Sequence, residues 1–255
     1  MNAQPTALER NPVKSLLSQD AIKKKFEEVL GTKSPQFMAS IANAGLNLPG
    51  VEPMSIIAAA FVAATLDLPI DKNLGFAYIV PYKDKQGSRV AQFQMGYRGF
   101  IQLALRTGQY ERMNARAINA AAFGGYDEVG EPRILWENID ETKAPVGYAF
   151  AWKLTSGFMK VVYWTKEKVE AHAKRYSQAY KSGNPDTPWV TNKHAMALKT
   201  VIKDALGHWG IMSIQMQQAA LHDQGSQRQI GAEVEYIDRE AVETIGPGAK
   251  GKPES

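Results

Sequence analysis

Hydrophobic positions along the chain keep a helical period for about the first 70 residues and then change it. SQDAIKKKFEEVLG sets Ile22, Phe26, Val29 and Leu30 three or four apart, behind Ser18 as a cap and before Gly31 as a stop, which predicts a helix. Ser34 with Pro35 opens a second helix through Phe37 and Ile41, and Pro53 opens a third that runs to Leu66. The third is apolar on more than one face around Ile56 to Phe61, so it either packs onto the rest of the chain or contacts another subunit. The period then falls to two. Phe76, Tyr78 and Val80 alternate with smaller residues, KDKQGS turns the chain, and Val90 to Met95 returns as the second strand of a hairpin.

Over 97–107 the pattern is helical again. Phe100, Leu103 and Ala104 supply a buried side, with Ile101 and Leu105 beside them, while Arg98, Gln102 and Arg106 recur every four positions as one polar row. Tyr110, Arg112, Asn114, Arg116 and Ile118 share the face of a following strand. A second hairpin alternates Val146, Tyr148, Phe150 and Trp152 with Gly147, Ala149 and Ala151, then turns at TSG into FMKVVYW. Thr165 caps a helix to about Tyr180, and KSGNPDTP is a loop. From Val190 to Leu206 a helix buries Leu198, Val201, Ile202 and Ala205 and carries Lys199 and Lys203 four apart; a last one runs from Ser213 to about His222.

This order predicts an α+β fold: an N-terminal helical lobe, a central antiparallel, hairpin-rich sheet packed on helices, C-terminal helices and a disordered tail. The expected organisation is a flexible arm over 1–17, a core over 18–222 whose helical lobe ends near 70, and a flexible acidic tail over 223–255. Charge sharpens that division. The net charge is +4, yet from residue 223 onward seven acids face four bases, which leaves 26 bases against 19 acids in the body. A basic body with an acidic tail points to a polyanionic partner for the body and a separate role for the tail.

Composition removes several kinds of chemistry. Without cysteine there is no disulfide framework and no thiolate ligand or nucleophile, as suits a reducing cytoplasm. MNAQPTALERNPV does not resemble a signal peptide, and the longest apolar run, Ile56 to Ala64, is far short of the roughly 20 residues that span a bilayer. GPGAKGK matches the start of a phosphate-binding loop, but Pro253 stands where the hydroxyl residue is needed. His172, His194, His208 and His222 lack metal-ligand spacing, and no catalytic constellation or cofactor site is visible, so the chain reads as a binding protein rather than an enzyme.

The residues do suit single-stranded nucleic acid, which is held by cations along the phosphates and by flat side chains against the bases. The candidates are Tyr97 and Arg98, Arg106, Arg112 and Arg116, Lys160, Trp189, Lys193, Lys199 and Lys203. The run LPIDKNLGFAYIVPYKDKQGSRVAQFQMGYRGFIQLALRTGQY, with a later PW and HAMALKTVIKDAL, closely resembles the RecT family of phage single-strand annealing recombinases, in particular those of phages and prophages of Gram-positive bacteria. The resemblance covers about residues 10 to 222. It implies ATP-independent binding of single-stranded DNA, annealing to duplex, and homo-oligomeric rings or filaments in the bacterial cytoplasm. It also implies a phage exonuclease partner and, through the tail, the host single-strand DNA-binding protein. A passive single-strand coat and a metal-dependent nuclease of the same phage module are the alternatives.

Overall fold

The computed structural model describes residues 11–236 apart from Lys85, Asn184, Gln224, Glu233 and Val234. It opens with α1 (Pro12–Leu17), inside the stretch expected to be a flexible arm. Asn11 caps this helix by accepting from the Lys14 amide, donates to the Ala42 carbonyl at 3.2 Å, and lets Val13 and Leu17 enter the core. Ser18 therefore closes α1 instead of capping the next helix, α2 (Asp20–Leu30), whose stripe buries Ile22, Phe26 and Leu30 but leaves Val29 42% exposed. A 3-10 turn leads into α3 (Ser34–Leu46), and α4 (Pro53–Thr65) completes the lobe. Phe26 sits at its centre, edge-on to Phe61 at 5.2 Å.

The apolar surplus of α4 is used inside the chain. Ile56, Ile57, Ala58, Ala59 and Ala60 are all buried, because the helix runs between α1 to α3 on one side and the hairpin β1 (Ala77–Lys83) and β2 (Arg89–Met95) on the other. Burying a large aliphatic side chain contributes about 1.5–3 kcal/mol, so these contacts fix the lobe to the sheet. The alternative of a subunit contact around Ile56 loses its residues.

After the hairpin come α5 (Tyr97–Arg106) and β3 (Tyr110–Asn119), which joins β6 (Pro145–Leu154) and β7 (Met159–Thr165) in an antiparallel sheet of order β3-β6-β7. Between β3 and β6 the chain forms a short arm, β4 (Phe123–Tyr126) with β5 (Pro132–Ile134), that periodicity does not disclose. The C-terminal part holds α6 (Lys166–Tyr176), capped by Thr165 as expected, the short turns α7 (Gln178–Lys181) and α8 (Pro188–Thr191), the long α9 (Lys193–Trp209) and α10 (Ile214–His222). Helix α9 is the hub: it packs on α5, α6 and α8 and on the inner face of all three strands of the β3-β6-β7 sheet. Tyr148, Phe150 and Trp152 meet it from β6.

Beyond α10 the chain stays on the body. Asp223 is fully buried, β8 (Gly225–Ser226) pairs with β2, and β9 (Glu235–Tyr236) pairs with β8, giving a sheet of order β1-β2-β8-β9. Arg228 bonds Asp84 in the β1–β2 turn. The expected start of the tail at 223 thus falls within this docked segment, and residues 237–255 lie outside those described.

Candidate nucleic-acid interface

Strand β3 supplies the open cationic surface. Its alternation puts Arg112, Asn114 and Arg116 outward, opposite Lys153, Ala151 and Ala149 of β6, so the cations surround Asn114 and Ala151, while Ala149 is itself buried. Tyr110 was expected on that face. A register shift between Tyr110 and Arg112 turns it inward instead, where its hydroxyl donates to the Ile211 carbonyl at 2.9 Å. Lys153 joins the surface although periodicity did not single it out: it continues the small-residue frame of Gly147, Ala149 and Ala151 by one more step.

Acids neutralise part of this face. Glu111 lies 2.6 Å from Lys153 and 3.9 Å from Arg112, and Glu141 lies 3.3 Å from Arg116. The hydrogen bond from Lys153 holds the Glu111 carboxyl below the usual carboxylate range. Exposed pairs of this kind contribute little to stability, so a phosphate can displace them.

At its other end the face is roofed by the β4–β5 arm. Phe123 stacks on Tyr163 with centroids 4.5 Å apart, and Ile118, Ala122 and Ala149 pack beneath. Gly147 is needed here, because a Cβ would stand 2.4 Å from the Tyr163 ring. Burial pushes the Tyr163 hydroxyl up to about 12, so it remains a neutral donor at any working pH.

A second surface lies across α9. Tyr97 and Arg98 open α5, and the backbone is drawn so close that a Cβ on Gly96 would stand 2.1 Å from the Gly75 carbonyl. Arg98 is exposed and donates to the Leu74 carbonyl and the Tyr97 hydroxyl, both at 3.4 Å. Beside them a slot of about 210 Å³ separates the outer face of β1–β2 from α8 and α9.

The remaining candidates have partners within the chain. Arg106, on the same row as Arg98, donates to the Leu66 carbonyl at 2.8 Å and the Asp67 carbonyl at 2.9 Å, which closes the C-terminal end of α4. Its replacement by Ala should cost about 1–3 kcal/mol of stability in urea denaturation without changing the salt dependence of DNA binding. Lys160 pairs with Glu131 and lies 4.3 Å from the Trp209 ring centroid. Lys193 bonds Glu170 at 2.6 Å. Trp189 is only 5% exposed, edge-on to Tyr180, so it is a core residue and not a stacking platform. Leu105, expected near the buried side of α5, is 46% exposed.

Lys199 and Lys203, expected along the phosphate track, both turn to one buried carboxylate. Both reach Asp223, Lys199 at 3.1 Å and Lys203 at 2.8 Å, and Asp223 also accepts from the Met95 amide at 2.9 Å. Burial by itself would raise this carboxyl. The two lysines and the amide outweigh it and hold Asp223 well below the usual carboxylate range. These lysines grip the chain's own acid.

Among the described residues no cluster of His, Asp or Glu is arranged to hold a metal ion, and no helix is long and apolar enough to cross a membrane. A family model described as the RecT family matches residues 34–237. An uncharacterised protein of Bacillus subtilis strain 168, YqaK, is 44% identical over 235 residues, covering 91% of this chain and 79% of its own. Protein RecT of Escherichia coli strain K12 is 27% identical over 232 residues, covering 88% of this chain and 84% of its own.

Proposed function

The chain belongs to the RecT family, and on that premise we propose that it binds single-stranded DNA and anneals complementary strands in homologous recombination, without nucleotide hydrolysis. The observation that carries this reading is the open face of β3 and β6, where Arg112, Arg116 and Lys153 surround Asn114 and Ala151. Such a face meets a phosphate backbone without reading bases, and Arg offers two parallel donors to each phosphate. Annealing then needs no fuel: each stacked pair contributes roughly 1.4 kcal/mol once complementary bases meet. The protein only has to hold backbones extended and base edges free.

One subunit covers few nucleotides, so many copies act together in rings or filaments of a phage or prophage recombination system in the bacterial cytoplasm. An exonuclease of the same system exposes the strands, and the host single-strand DNA-binding protein is met through the tail. Mixing two complementary oligonucleotides with the protein in the absence of nucleotide tests the reading. Duplex should form faster than in buffer alone. Slower pairing would mark a passive coat, and shortened strands a nuclease.

A further inference from the structure

The slot between the β1–β2 hairpin and α8–α9 is too small for a drug-sized molecule, whose pockets run to about 300–1,000 Å³, but its volume of about 210 Å³ admits a single planar ring system. Tyr78 and Tyr97 bring aromatic rings to it, Met196 a polarisable thioether, and Thr191 and Asn192 polar groups at an exposed edge. Rings and thioether sulfur are the partners a base face prefers.

Polar groups without partners among the described residues occur on neighbours of the slot's lining residues. Gln92, on the same strand face as Gln94 of the slot and opposite Val80, is fully buried with both ends of its amide unpaired among the described residues. The Thr187 hydroxyl and the Trp189 indole N–H, on either side of Pro188 in the slot wall, are likewise buried and unpaired. Buried donors and acceptors left unpaired are costly. At the same end Arg98 is exposed beside Tyr78 and Tyr97.

We propose that this slot takes one unstacked nucleobase of a bound single strand, with Arg98 on the adjoining phosphate. The inference rests on the single-strand binding proposed above and adds a second point of attachment across α9 from the open cationic face. A base of a single strand is the cheapest to withdraw, because only stacking opposes it. Holding one base aside at each subunit fixes the register of the strand while its neighbours stay free to pair.

The test compares a labelled oligothymidylate with an abasic oligomer of the same length, by fluorescence anisotropy on the full chain. Wild-type protein should prefer the thymidylate by about tenfold. Thr191→Trp, placed at the exposed edge, and Ala195→Phe, placed in the wall, should each abolish that preference and leave the salt slope unchanged. Should Ala195→Phe fail to give a cooperative melt, Thr191→Trp decides. A preference that survives in Thr191→Trp, or is missing from wild type, overturns the slot assignment. Wild-type protein that binds neither oligomer overturns the single-strand reading itself, and the slot with it.

Discussion

Replacing Asp223 with Asn should lower the free energy of unfolding by about 3–5 kcal/mol, the cost of leaving a buried charge without its partner. The carboxylate is fully buried, bonded to Lys199, Lys203 and the Met95 amide, and Lys199 is itself almost fully buried. An amide of the same shape removes the negative charge and leaves two ammonium groups facing each other. Small proteins hold only about 5–15 kcal/mol in total, so urea denaturation at neutral pH should separate the two proteins clearly. The pH dependence has a definite sign. The folded-state value of Asp223 is depressed, so its contribution is complete above the unfolded-state value of about 3.9 and is lost as pH falls through the folded value. The gap between wild type and Asp223→Asn should therefore narrow in strong acid.

The same contacts distinguish two truncations. Ending the chain after residue 222 removes Asp223, β8 and Arg228, and should destabilise at least as much as the point variant. Ending it after Tyr236 keeps every contact just described and should keep wild-type stability. Equal stability of the two truncated chains would show that the docked segment contributes nothing.

Asp223 also shows why parts of this molecule were legible and others were not. Helices α2, α5 and α9 follow from apolar spacing, since each buries one stripe, whereas α4, β2 and β6 show themselves as apolar runs buried on both sides. Short elements carry too few residues for a period, which hid α1 and the FGGY and PRI strands of the arm. Charge is harder to read than periodicity. Lys199 and Lys203, four apart on a helix, look the same whether they meet phosphate or a carboxylate. What decides is Asp223, an acid that composition assigns to the tail and packing assigns to the core. Arg106 is hidden likewise, because its partners are backbone carbonyls at the end of another helix. Arg112 and Arg116 were readable because strand alternation alone turns them outward together. Lys153 required extending the same alternation one step along β6.

That face yields the second large effect. Changing Arg112, Arg116 and Lys153 together to Gln should weaken single-strand binding about a hundredfold near 0.1 M salt and lower the slope of log affinity against log salt by about 2, from roughly 0.7 per phosphate contact on a single strand. The loss should be nearly the same for every base sequence, since phosphate contacts carry no sequence information. Stability should change little, because all three side chains project from an open face and, among the described residues, pair with the exposed Glu111 and Glu141. Those acids give the converse experiment. Before a phosphate reaches Lys153 or Arg116 it must displace Glu111 or Glu141, so Glu111→Gln and Glu141→Gln should each tighten binding at low salt. Lys203→Ala is the matched control: it removes a cation of equal charge from Asp223 and should cost stability while leaving the slope where it was. A triple variant with an unchanged slope would move the phosphate track off β3 and β6, to the side of α9 where Arg98 stands.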